Sequence, residues 1–281
     1  MVDGVEGNFG SGAVALVGAL LLFSGVGLVP VGRLLSERLF PRARVHFVRW
    51  GFTHVLAVTV FFLLASAFAL HLIGDEGVAH VLMAGAAAFA LTAAFILCVA
   101  KRTEPTPWSS LGLTDASHGR SIALGVCLYV VFLPAIFGAG LVSPWLVERA
   151  GGVAEGQEVL LEIGGLKGDA LGLALLIAVC LQPFLEELLF RCFLQPLLVQ
   201  NFRETGGIVL TSFLFAFIHP GWVTFLPIFC LSLVLGVLYL RTRSFAAVAV
   251  VHGLHNGLVL ALFLGSERWR ELSGASGLLG S

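Results

Sequence analysis

Charge is scarce in this chain. Asp, Glu, Lys and Arg make up 12% of the 281 residues and hydrophobic residues 58%, whereas soluble domains carry about 25% charged residues. The deficit excludes an ordinary water-soluble domain and points to a membrane protein. A net charge of -1 offers no basic surplus, so no nucleic-acid partner is indicated. The five cysteines, Cys98, Cys127, Cys180, Cys192 and Cys230, form no CxxC pair and lie in or beside apolar runs, which argues against a disulfide framework and a thiolate zinc site. They read as small packing residues. No HExxH motif occurs, and no glycine cluster sits where a phosphate or dinucleotide loop would need one. Internal repeats and low-complexity tracts are missing too. Before the first apolar run stand Asp3 and Glu6 but no Lys or Arg, so the run reads as a retained helix and not a cleaved signal peptide.

Long apolar runs are what the chain has. A spanning helix needs about 20 mostly apolar residues. Runs near that length cover Ser11 to Val31, Gly51 to Ile73, Ala79 to Ala100, Ser121 to Ser143 and Ala170 to Leu198. Shorter ones follow at Gly207 to His219, Val223 to Leu240 and Phe245 to Leu264. The expectation is an all-α polytopic membrane protein of about eight transmembrane helices around an intramembrane polar cavity. Gly18, Gly25, Gly27 and Gly85 are placed where membrane helices pack closely. The stretch Glu148 to Asp169 is the longest loop and has room for a short surface helix.

Twelve of the sixteen Lys and Arg residues fall on alternate loops, which the positive-inside rule assigns to the cytoplasm. These are Arg33, Arg38, Arg42, Arg44 and Arg49, then Lys101, Arg102 and Arg120, then Arg191 and Arg203, then Arg241 and Arg243. Acidic residues dominate the other side, with Asp75, Glu76, Glu148, Glu155, Glu158, Glu162 and Asp169. Both termini are then outside. The Arg33 to Arg49 cluster sets topology and meets lipid headgroups.

Ionisable side chains at membrane depth cost about 2.5 to 3.5 kcal/mol each on insertion scales, so a set of them signals use. Residues 181–256 hold such a set. Glu187 and Arg191, four apart, share a helix face and are placed to pair. Glu186, about 100 degrees round, has no local cation, and a carboxylate in a low-dielectric cavity suits a general base. Phe215 shares a face with His219, and His252 with Asn256; His255 lies three residues beyond His252. Glu186 and His219 are equidistant from a point between Phe202 and Arg203, inside the polar stretch Gln200 to Gly207. A turn there brings both to one depth, about 18 Å from it at 1.5 Å per residue. Pro183 interrupts the helix just before Glu186 and frees carbonyls that need a partner or water. His54, His71 and His80 read as single polar groups at helix interfaces, His46 as a surface residue and His118 as a loop residue.

These motifs resemble a known family, the CAAX prenyl protease and bacteriocin-processing intramembrane proteases (CPBP, or Abi). QPFLEELLFRCFLQPLL resembles its EExxxR motif at Glu186, Glu187 and Arg191. SFLFAFIHP resembles FxxxH at Phe215 and His219, and VVHGLHNG resembles HxxxN at His252 and Asn256. The resemblance implies an intramembrane endopeptidase in which Glu186 and His219 activate a water and His252 and Asn256 stabilise the oxyanion, with Glu187, Arg191 and Phe215 in support. It also admits a divalent metal, zinc, on Glu186, His219 and His252, as an alternative to a metal-free glutamate reaction. The expected organisation is N-terminal transmembrane helices over 1–165, catalytic helices over 166–265 and a tail over 266–281. The expected partners are a peptide or protein substrate, cut near its C-terminus or in a leader, and the lipid bilayer. The expected place is the plasma membrane, with the cavity opening to the cytoplasmic side. Two other classes compete: a non-catalytic immunity or scaffold protein holding a peptide in the same cavity, and a proton-coupled transporter, which the absence of a repeated half disfavours.

Overall fold

A computed structural model describes residues 3–39, 47–74, 77–114, 117–154 and 158–277, and among these there are helices and no strands. Arg42, Arg44, His46, Asp75, Glu76 and Glu155 lie outside the described residues. The elements are α1 (Asp3–Leu39), α2 (Phe52–Ile73), α3 (Val78–Thr103), α4 (Pro107–Ser110), α5 (His118–Arg149), α6 (Glu158–Gly165), α7 (Gly168–Leu176), α8 (Gln182–Glu187), α9 (Gln195–Phe217), α10 (Trp222–Thr242) and α11 (Phe245–Gly277). Widened π-helical turns, Ile177–Leu181 and Leu188–Leu194, join α7 to α8 and α8 to α9.

Seven helical stretches among the described residues are long and apolar enough to cross a membrane. The protein is an integral membrane protein. Helices satisfy every backbone group internally, which hydrocarbon demands. Exposed Leu20, Phe23, Leu56, Leu63 and Phe68 on α1 and α2 give these helices an apolar outer surface, as lipid requires. The count of seven is close to the expected eight because Gly168–Phe217 runs as one helical stretch. It contains a sharp break, with Phe202 and Arg203 out of helical geometry and Arg203 at φ 63°. That break falls on the midpoint between Glu186 and His219. Gly207 lies against the Val199 backbone across the turn, where a Cβ would have no room.

α5 is the central helix, packed against α1, α10 and α11. A Cβ on Gly18 would come within 2.8 Å of the Gly138 carbonyl, and one on Gly25 within 2.6 Å of Ala135, so the close approach expected of these glycines is present. Gly27 and Gly85 face open space, and their expected packing role is not met. His118 begins α5 instead of lying in a loop. α6 is the short helix foreseen between Glu148 and Asp169.

The basic loops gather at one end. Gln200 accepts the Val48 N–H at 2.9 Å, and Glu104 accepts the Arg49 N–H. The Arg243 guanidinium donates to the carbonyls of Ser109 and Ser110, and the Phe245 N–H to Gly112 at 3.0 Å. Four chain reversals, near 48, 110, 202 and 243, are thereby tied together. Arg191 does not belong with them: it is fully buried, for the reason below.

Candidate active site

The site is built around a helix that cannot close normally. At the first widened turn the Gln182 N–H reaches back to Ile177, one residue further than in an α-helix. Continued in that register, the Ala178 carbonyl would wait for an N–H from residue 183, which is proline. The second turn repeats the arrangement: Gln195 N–H bonds to Phe190, and Pro196 follows. Ala178 finds its donor elsewhere, in the Asn256 side-chain amide at 2.9 Å. Beside it, Gly253 lets the Val179 carbonyl approach; a Cβ at 253 would sit 2.6 Å from that oxygen.

Glu186 and Glu187 then project in different directions. Glu187 Oε2 accepts from Arg191 Nε at 2.9 Å, as the spacing predicts, and both side chains have no exposed surface. Its Oε1 meets His252 Nδ1 at 2.9 Å, a contact between helices. Arg191 also donates to Ser232 Oγ at 2.7 Å and to Gln195 Oε1 at 3.5 Å, while Gln195 Nε2 donates to the Gly236 carbonyl at 2.9 Å. Desolvating such an ion pair is costly unless its remaining hydrogen bonds are made, and here they are.

Glu186 is held differently. Oε1 accepts from Gln182 Nε2 at 2.9 Å. Oε2 faces His219 Nε2 at 4.0 Å and His252 Nε2 at 3.9 Å, gaps too long for direct hydrogen bonds. His219 is the most accessible of the three, its side chain 22% exposed against 4% for Glu186. Its Nδ1 lies 2.7 Å from the Phe215 carbonyl, which can only accept, so Nδ1 carries the proton. His252 Nδ1 is likewise directed at a carboxylate. The two Nε2 atoms and the Glu186 carboxylate thus converge on one place.

Phe215 is the apolar floor. It is fully buried, with its ring centroid 4.8 Å from that of His219, 5.6 Å from that of His252 and 5.1 Å from the Arg191 guanidinium. His255 turns away from this cluster to Tyr129 on α5, with Nδ1 3.1 Å from the phenolic oxygen. It is a histidine at a helix interface.

The structure therefore brings together Glu186, Glu187, Arg191, Phe215, His219 and His252, while Asn256 engages the backbone at Ala178. Sequence reasoning missed Gln182, Gln195, Ser232 and Gly253. The two glutamines carried a readable signal, each four residues from Glu186 or Arg191; Ser232 and Gly253 carried none.

A zinc set of Glu186, His219 and His252 has suitable donor chemistry, and hydrogen-bonded Nδ1 atoms are what metal-ligating histidines need. The spacing does not fit. Ligands about 2.0 to 2.1 Å from a tetrahedral zinc stand roughly 3.3 Å apart, short of the 3.9 and 4.0 Å separations here. Among the described residues no group of three His, Cys, Asp or Glu is arranged to hold a metal ion. No step below is routed through one.

Residues 169–258 match the family model for type II CAAX prenyl endopeptidase Rce1-like proteins. The match begins at the start of α7, ends within α11 and includes every motif residue named above. Among curated proteins and solved structures, none matches. The family match supports a CAAX-type protease kind of function. Over this segment the chain is similar to the CAAX prenyl proteases, in keeping with the resemblance carried by its three motifs.

Proposed function

We propose that the protein is an intramembrane endopeptidase that hydrolyses a peptide bond with a water held by Glu186, His219 and His252. The carrying observation is the convergence of Glu186 Oε2 with two Nε2 atoms across gaps of 3.9 and 4.0 Å. A water about 2.8 Å from each partner bridges such a gap. Glu186, oriented by Gln182, takes a proton as the water oxygen attacks the scissile carbonyl carbon. His219 directs the water's other proton. His252, whose Nδ1 faces the Glu187 carboxylate, takes up a proton from solvent on Nε2 before the attack and keeps it, offering that N–H as a hydrogen bond to the developing oxyanion; such a donor contributes about 10² to 10³ in rate. Collapse breaks the C–N bond, and the proton on Glu186 passes to the departing amine. The family's name supports a prenylated C-terminal peptide as substrate over a leader peptide. The basic end then faces the cytoplasm, the cavity opens toward it, and the membrane is the plasma membrane.

The test is cleavage of two quenched peptides, identical except for a farnesyl group on cysteine, by detergent-purified wild type and Glu186→Ala, with and without a strong chelator. The reading requires wild-type cleavage of the prenylated peptide that survives chelation and is lost in Glu186→Ala. Equal activity in the variant would sink the assigned role of Glu186 and favour a scaffold. Loss on chelation would restore a metal centre.

A further inference from the structure

We infer that Asn256 is a positioning residue: its side-chain amide stands in for the backbone N–H that Pro183 lacks, and so locks the widened turn before Glu186 onto the helix that carries His252. The structural half of this inference is independent of the reaction proposed above; the catalytic half rests on it.

The argument starts from one carbonyl. The Gln182 N–H is committed to Ile177, and the next N–H in that register does not exist. Ala178 is half-buried within a membrane-spanning stretch, where hydrocarbon offers its oxygen no donor and an unpaired carbonyl is strongly unfavourable. Asn256 Nδ2 supplies it at 2.9 Å from a helix 78 residues away in sequence. Pro183 also crowds the carbonyl four residues back, that of Val179. That oxygen turns toward α11 and lies against Gly253, the one residue type with room for it. Two displaced carbonyls are thus received by α11, at Gly253 and Asn256.

The consequence reaches the site. Asn256 is one helical turn beyond His252, so the contact that fixes Ala178 also sets the height of His252. Gln182, the last residue of the clamped segment to precede Pro183, is the residue that orients Glu186. Clamping Ala178 therefore sets both sides of the 3.9 Å gap between Glu186 and His252. The N–H given to Ala178 is not available to an oxyanion.

A suppressor cycle tests this. Pro183→Ala returns a backbone N–H within reach of the orphaned carbonyls, so Asn256 becomes dispensable in that background and in no other. Wild type, Asn256→Ala, Pro183→Ala and the double variant are compared in detergent, by thermal unfolding and by kcat and KM on the farnesylated quenched peptide. Asn256→Ala is expected to lower Tm by about 3 °C and kcat about tenfold with KM little changed; in the Pro183→Ala background the same change costs less than half as much in both. Equal Tm losses in the two backgrounds, or no loss in either, would overturn the clamp. A Tm loss that is suppressed while a kcat loss of about 10²-fold persists would return Asn256 to the oxyanion. If Asn256→Ala alone does not fold, the double variant must; its failure also overturns the proposal. If wild type cleaves neither peptide, the proposed function fails and the unfolding cycle still decides the clamp.

Discussion

Glu186 and Glu187 are neighbours in sequence and both buried, yet their surroundings have little in common. Glu187 is saturated: Arg191 at 2.9 Å on one oxygen, His252 at 2.9 Å on the other, and the arginine itself tied to Ser232 and Gln195. Glu186 has one oriented oxygen and one that looks across 3.9 and 4.0 Å at two imidazoles. The first arrangement closes a helix bundle. The second leaves a place of one water's width. The step of about 100 degrees between consecutive residues separates the two roles.

The comparison predicts opposite phenotypes. Glu186→Gln keeps the side-chain volume and removes the base, so peptide cleavage should fall by about 10³-fold or more, with the melting temperature nearly unchanged. A variant that cleaves normally would show that the gap is not the reaction site. Arg191→Met leaves the buried Glu187 carboxylate with His252 alone and should cost roughly 3 to 5 kcal/mol of stability, read as a loss of folded protein in detergent. Adding Glu187→Gln to it should restore most of that stability, because both members of the pair are then gone. If the double variant were no more stable than Arg191→Met, the pair would not be the clasp described.

How much of this was legible in the sequence follows the same division. The Glu187 to Arg191 pair is a spacing within one helix, and it could be read directly. The common depth of Glu186 and His219 was readable because a turn at Phe202 and Arg203 makes the two arms equal, and the chain does break there. The link from His252 to Glu187 spans 65 residues and depends on which way one histidine ring points, which periodicity does not encode. The partner of Asn256 was harder still: it is a backbone oxygen, released by a widened turn that breaks the 3.6-residue period. Counting Arg191 as a loop charge was the matching error, since a positive charge near a helix end in sequence looks the same whether it faces headgroups or a carboxylate.

Gln182 sharpens the comparison from the open side. Gln182→Leu removes the only hydrogen bond fixing Glu186 among those described, and kcat should fall about tenfold with KM little changed, since a charge-assisted hydrogen bond is lost and not a substrate contact. A larger effect on KM than on kcat would instead place Gln182 against substrate.

The smallest effect should come from the histidine that stands beside the site without joining it. His255 is three residues from His252, but its ring meets Tyr129 edge-on and its Nδ1 lies 3.1 Å from the tyrosine oxygen, on the α5 side of α11. Tyr129→Phe deletes that hydrogen bond and keeps the ring packing, so it should cost about 1 kcal/mol of stability or less, and cleavage should stay within about twofold of wild type because no group facing Glu186 changes its partner. If Tyr129→Phe reduced kcat as far as Gln182→Leu does, the division between the closed carboxylate and the open one would have to admit a third participant, with His255 feeding protons to His252 along one face of α11.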